Sequence, residues 1–396
     1  MIWGGRLNDP MGMMLKMKIF IRSILLIWLY MSVIIAQNVI STDKDVLFLP
    51  QGFIIESLSS KGVNNFQNSI FNIASGNPAG IMNFNKVSLG FSLQSDSKID
   101  DVWVLDIGHR RIKNDLPQSW GIVIPFKSFN IGYGFSQRYN TELLYPGIEI
   151  RTLEYPEGTG EYFTITDKTY VISNSIVFSR KFRYSDYIIN VGYTFSRSTL
   201  NKYQKIWNFE NSFSDSAFEH AIGISFYVNN GFFMGAFFKK GAEFSKDVTY
   251  DNSNLQIDPI DSSYNDLNTF TIVGYLPNNF NISLVKDCSQ NVQILGSINY
   301  IFRNPVNENY SSRIEISGNI VRQISKNINV SAGFFETNGA QKQNEFMKSL
   351  RAIYLMGGLS IQTKYINIDL TMADSHLLSG VARKQTIGKI GFGFHI

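Results

Sequence analysis

Four histidines are the scarcest candidates for chemistry in this chain: His109, His220, His376 and His395. No two of them share the spacing that lets a helix present two imidazoles to one metal. No HExxH, P-loop or glycine-rich dinucleotide signature occurs either. Asp374-Ser375-His376 holds the residue types of a hydrolase, but neighbours in one loop rarely converge on a shared proton path. The aspartates Asp247, Asp251, Asp258, Asp261 and Asp266 fall close together. Calcium needs about six to eight converging oxygens, and without EF-hand spacing this stretch reads as a solvated loop. Cys288 stands alone, which excludes a disulfide framework and a cysteine zinc cage and leaves a bland unpaired thiol. Neither catalysis, a cofactor nor a metal is expected.

The elements that would position any site are better marked. Only 17% of the 396 residues are charged while 14% are aromatic, yet mean hydropathy is −0.06. Membrane helices would need several near-continuous apolar runs of about 20 residues, which that neutrality opposes. Pro is too rare and apolar residues too common for a collagenous or disordered chain. Four of the 36 cations but one of the 32 acids lie in the first 36 residues, so the remainder is nearly neutral. Nucleic acid is not an expected partner.

Lys16, Lys18 and Arg22 precede the apolar run Ile24–Ile35, then Ala36-Gln37. This is the layout of a signal peptide, too short for a comfortable membrane span, with an uncleaved anchor as the alternative. Met14 or Met17 would begin a more ordinary signal than Met1. The expected division is a leader over 1–36, an N-terminal segment over 37–83 and a strand domain over 84–396.

Beyond the leader, period two dominates. Val87, Leu89, Phe91 and Leu93 alternate with Ser88, Gly90, Ser92 and Gln94, and Ile390, Phe392, Phe394 and Ile396 close the chain the same way. Such a strand has one greasy face and one small or polar face. A soluble sandwich turns the greasy face inward and a membrane barrel turns it outward. Strands are expected near 84–94, 101–110, 119–139, 169–181, 186–197, 217–228, 231–240, 268–287, 291–302, 310–322, 328–336, 350–363, 365–373 and 383–396. Short connections alternate with long ones that include 140–168, 198–216 and 241–267. That alternation favours an all-β transmembrane antiparallel barrel of about 14 strands, in a Gram-negative type of outer membrane.

The third expected strand changes phase at Lys127-Ser128, just after Pro125. A tight hairpin there would give fifteen strands, whereas a bulge gives fourteen, the even number bacterial barrels show; the bulge is preferred. Across Leu276-Pro277 the phase is kept, so that strand is expected to continue with Pro277 weakly paired. By parity Ile188, Leu295 and Ile301 point inward and could touch a luminal ligand.

Two segments resemble the FadL-type family of outer-membrane transporters for long-chain fatty acids and other hydrophobic compounds. One is Asn77-Pro78-Ala79-Gly80 before the first barrel strand, which also has the make-up of any tight turn. The other is Leu276-Pro277-Asn278-Asn279-Phe280 with its hairpin partner 291–302. The resemblance implies a fourteen-stranded barrel, a plug supplied by 37–83, and a kinked third strand that opens the wall sideways, here at Pro125, Lys127 and Ser128. It implies passive uptake of a hydrophobic small molecule, contact with outer-membrane lipid, and insertion by the barrel-assembly machinery. A protein-docking subunit of a secretion system and a simple diffusion pore are the alternatives.

Overall fold

Large apolar residues at every second position place one class of side chain on each face of a strand. Fourteen such strands close into one antiparallel ring. The computed structural model describes residues 45–46, 70–96, 109–112, 118–149, 157–184, 187–206, 209–228, 231–249, 269–302, 312–337, 352–378 and 386–396. The barrel strands are β1 (Ser88–Asp96), β2 (His109–Ile112, resumed at Ser119–Pro125), β3 (Phe129–Glu149), β4 (Tyr162–Tyr184) and β5 (Tyr187–Ile206). They continue with β6 (Phe209–Val228), β7 (Phe232–Lys240, resumed at Ala242–Thr249), β8 (Thr269–Leu276, resumed at Asn279–Ser289), β9 (Val292–Ile301) and β10 (Arg313–Ser325). The last four are β11 (Ile328–Thr337), β12 (Ala352–Gln362), β13 (Ile366–Asp374) and β14 (Thr386–His395). Each pairs with its chain neighbour, and β14 returns to β1 with Phe394 opposite Leu89.

The faces are inverted relative to a water-soluble protein. Ile176, Phe178, Ile222, Ile298, Ile316, Ile320 and Met372 point outward and are exposed, while Ser173, Asn190, Thr194, Ser283 and Asn299 are buried inside. Lipid selects that inversion, because only the outer wall meets hydrocarbon. Facing inner hydroxyls pair across strands, as in Ser92 with Ser119 at 2.6 Å and Ser175 with Ser196 at 2.7 Å.

The phase slip at Lys127-Ser128 is a hairpin turn, which corrects the expected bulge. Phe126 N–H donates to the Phe129 carbonyl at 2.8 Å, and Trp120, Ile122 and Ile124 lie opposite Phe135, Tyr133 and Ile131. When a chain reverses over a two-residue turn, parity must switch for the same face to stay outward. Fourteen survives because the expected strand near 101–110 contributes His109–Ile112 to β2 and is no separate strand.

Two expected long loops are also strand. β3 and β4 run into 140–168, and β5 and β6 stay paired through 198–216 as far as Ile206 opposite Phe209. Where a strand no longer faces lipid, apolar alternation lapses although the ladder continues. Pro277 interrupts β8 where an unbroken strand was expected. Residues 269–276 pair with 242–249, and pairing with β7 resumes only at Asn279.

An arginine at Ile316, mid-strand on the outer face of β10, should cost about 2–4 kcal/mol, and one at Ile324, beside the turn, about 0–1 kcal/mol. Equilibrium unfolding of Ile316→Arg and Ile324→Arg in lipid vesicles checks this; equal costs would show that the two positions do not differ in depth.

Candidate functional site

The lumen is built in layers, and the lowest is a segment of the chain's own N-terminal part. Pro78 opens a short 3-10 turn, Pro78–Asn83, because its fixed φ and missing N–H suit a first helical position. Asn77 caps it: its Oδ1 accepts from Ala79 N–H at 2.9 Å. The same side chain's Nδ2 donates to the carbonyls of Ile224 at 3.1 Å and Ala236 at 3.3 Å, on β6 and β7. Across the lumen Asn130 Nδ2 donates to Ile81 O at 2.7 Å and Phe84 O at 2.8 Å. Ile70, Phe71, Ile73, Ile81 and Phe84 pack with the inward Val123 and Val177.

This close approach needs glycine in the wall. A Cβ on Gly192 would lie 2.3 Å from the Pro78 backbone, and one on Gly223 would lie 1.9 Å from Asn77 Oδ1. Asn77-Pro78-Ala79-Gly80 is therefore a tight turn and also an attachment to the inner wall. Of the expected plug over 37–83, the remaining described piece besides 70–83 is Asp45–Val46, paired in parallel with Gly274-Tyr275 of β8.

Toward the loop end comes a buried charged layer. β3 carries one extra residue at Arg138, because Gln137 pairs with Ile172 and Tyr139 with the next residue, Val171. The guanidinium donates to both Glu219 carboxylate oxygens, and Ser198 Oγ donates to Oε1. Lys239 Nζ stands 3.5 Å from Oε2. Two cations around one carboxylate leave a net positive layer, and all three side chains are at most 3% exposed. Buried charge at this density persists only where it is paired and hydrogen-bonded.

Next to it, on the loop side, sits an apolar cluster of Val171, Leu200, Phe213, Ala242, Phe244 and Leu276. These side chains point inward from β4 to β8, against the general polarity of the lumen. The break at Pro277 belongs to the same feature. Gly241 N–H donates to Asn278 Oδ1 at 2.7 Å, and a Cβ on Gly241 would meet the Leu276 carbonyl at 1.8 Å. Both β7 and β8 bend at this point, which sets Ala242, Phe244 and Leu276 against the inner face of β4–β6.

At the short-turn end a cavity of about 770 Å³ opens beneath Phe84, lined by Lys127, Lys181, Ile188, Asn190, Tyr227 and His395 among others. Ile188 thus reaches the lumen as expected by parity. Leu295 is buried in a packed cluster with Val285 and Val321, and Ile301 is buried at the far end of the same strand. The three do not form one site. Pro125 and Lys127 line the cavity beside Ser128 in their turn, and Leu276-Pro277 belongs to the apolar cluster and its bend.

Glu219 carried a sequence signal, since it stays in phase with the small inward Ala221, Gly223 and Ser225, whereas Lys239 follows the large inward Phe237 and carried none. Arg138 shares the parity of the inward Asn130 and Ser136, so alternation turned it inward but gave it no partner. His376 bonds Asp374 at 2.9 Å in an exposed turn while Ser375 is buried, so these three do not align for catalysis. His220 bonds the Tyr193 hydroxyl at 2.6 Å and Cys288 is exposed. Among the described residues no cluster could hold a metal. The side chains of His109 and the 247–266 aspartates lie outside the described residues.

Neither a family model nor a curated protein matches the sequence. Solved structures do. A FadL homologue of Pseudomonas aeruginosa aligns at TM-score 0.60 and 10% identity, over 91% of this chain and 100% of that one. The fold is that of the FadL-type barrels. The Ralstonia pickettii toluene transporter TbuX aligns at TM-score 0.60 and 10% identity, covering 88% and 99%. The Pseudomonas putida toluene transporter TodX aligns at 0.55 and 11%, covering 90% and 98%.

A valine at Gly223 should displace Asn77 and expose the 70–84 segment. Limited proteolysis should cut Gly223→Val near Lys86 at least about fivefold faster than the parent. Gly296→Val, on the outer wall with no atom nearer than 3.9 Å to its Cβ, should not change cleavage. Equal protection in both variants would show that Asn77 is not held by this wall.

Proposed function

We propose that the chain is an outer-membrane transporter that passively admits hydrophobic small molecules, long-chain fatty acids among them. The observation that carries this reading is the apolar cluster inside a polar lumen. Apolar side chains inside a barrel have no lipid to meet, so a cluster there is suited to an apolar guest. The fold shared with a FadL homologue and two toluene transporters supports the same reading.

The layers suggest a route. A guest arriving from the loop end settles among Phe213, Phe244 and Leu276. Straight passage is blocked by the Arg138–Glu219–Lys239 layer and by the 70–84 segment below it. The sideways exit lies between β1 and β2. There Ser88–Ser92 of β1 pair with Ser119–Val123, and Gln118 N–H donates to Ser92 O at 2.8 Å. Gln118 in turn accepts from Gln137 N–H at 2.8 Å, one residue before the Arg138 bulge. The charged layer, the bulge and the seam are therefore one connected unit. Guest binding that disturbs Arg138 relaxes the seam, and movement of the 70–84 segment widens the way out.

Ser92 and Ser119 face each other across this seam with their hydroxyls 2.6 Å apart. Cysteines at both positions, in a Cys288→Ser background, should form a disulfide that lowers oleate uptake at least about tenfold in cells lacking other uptake routes. A reductant should restore it. Uptake that is unchanged by oxidation in a folded barrel overturns the sideways exit. Uptake no greater than in cells without the protein overturns the transport reading itself.

A further inference from the structure

The outer wall carries a feature that transport through the lumen does not use. Lys286 on β8 and Arg322 on β10 both point outward and are exposed, and Lys326 stands in the turn after β10. Only β9 separates the first two: Lys286 pairs with Ile294, and Val292 pairs with Arg322. The nearest acid, Asp287, has the opposite parity and accepts from Gln293 Nε2 at 2.7 Å. Beside the other short turns the outward positions Phe129, Ile189, Phe232 and Ile366 are uncharged, and Arg180 on β4 stands opposite Phe129, next to Lys127 of that turn. Three cations are thus gathered on one arc of the rim.

Directly above them the wall is shaped differently from its surroundings. Gly296 and Gly318 are opposite each other on β9 and β10, both facing outward. Nothing lies within 3.9 Å of a Cβ on Gly296, and the Phe334 ring borders Gly318 at 3.0 Å. The exposed Ile294 is opposite Ile320 on the rim side of the glycines, and Ile298 is opposite Ile316 on the far side. The glycines therefore form a notch across the strands, and the exposed Ile294–Ile320 pair fills the wall between that notch and the cations.

We propose that this arc of β8–β10 binds an anionic glycerophospholipid of the leaflet on the short-turn side. The phosphate lies between Lys286 and Arg322 with Lys326 beside it, and one acyl chain lies against Ile294 and Ile320. The two-residue turn Lys326-Asn327 keeps these side chains near the headgroup plane, where a basic residue attracts anionic lipid. The site is outside the barrel and separate from the cargo route.

Native mass spectrometry of the full barrel, with phosphatidylglycerol or phosphatidylcholine added to the detergent, tests this. The parent should retain one phosphatidylglycerol at concentrations at which phosphatidylcholine is lost. Lys286→Gln with Arg322→Gln and Lys326→Gln should weaken that retention at least about tenfold. Lys127→Gln with Lys364→Gln, cations of other turns, should leave it intact. Folding of each variant is read from its heat-modifiable gel migration, and Arg322→Gln alone serves if the triple variant misfolds. Equal retention of the two lipids by the parent overturns the proposal. So does a triple variant that keeps phosphatidylglycerol, or a Lys127/Lys364 variant that loses it as readily.

Discussion

A backbone that crosses hydrocarbon must satisfy every N–H and C=O within the protein, and a β-sheet does so only by closing on itself. The pairing of β14 with β1, Phe394 opposite Leu89 and Ile387 opposite Asp96, is where this chain meets that demand. Much else follows from closure. Side chains can point only out to lipid or in to the lumen, so apolar and polar residues divide by parity. The inner face encloses a space that the chain lines with serine, asparagine and glycine.

Departures from the regular ladder gather at the charged and apolar layers of the lumen. Gly241 and Pro277 interrupt β7 and β8 beside the apolar cluster, and the Arg138 bulge follows Gln137, which bonds Gln118 beside Ser119 of β2. A bulge inserts one residue into the ladder, and here that residue is Arg138, which reaches Glu219 from the inner face. One extra residue thus supplies both the wall irregularity and the luminal charge. Its stability depends on Glu219, since two buried cations without a carboxylate would bear the full desolvation penalty.

The luminal segment shows how a few polar atoms can hold a backbone inside a barrel. Asn77 forms its own cap and reaches two wall carbonyls, while Asn130 reaches two carbonyls of the segment. These bonds span sequence separations of more than a hundred residues for Asn77 and more than forty for Asn130. Glycine at positions 192 and 223 makes room for them, so the wall and the segment are complementary in shape as well as in hydrogen bonding.

The sequence by itself determined the barrel class, the alternation that sets which residues face lipid, and most strand positions. Period two is a local property of the chain and needs no partner to be visible. It also placed Pro277 at a weak point of pairing and Ile188 on the inner face. Tertiary structure alone decided the rest. A parity switch reads the same for a bulge and a hairpin until the partner strand is known, and the true bulge at Arg138 leaves no periodic trace. Strand extension past the lipid band is equally silent, because polar ladders lack the apolar rhythm. The Arg138–Glu219–Lys239 layer and the apolar cluster join residues up to about a hundred positions apart. Their meeting depends on strand order, tilt and closure, which no single segment encodes.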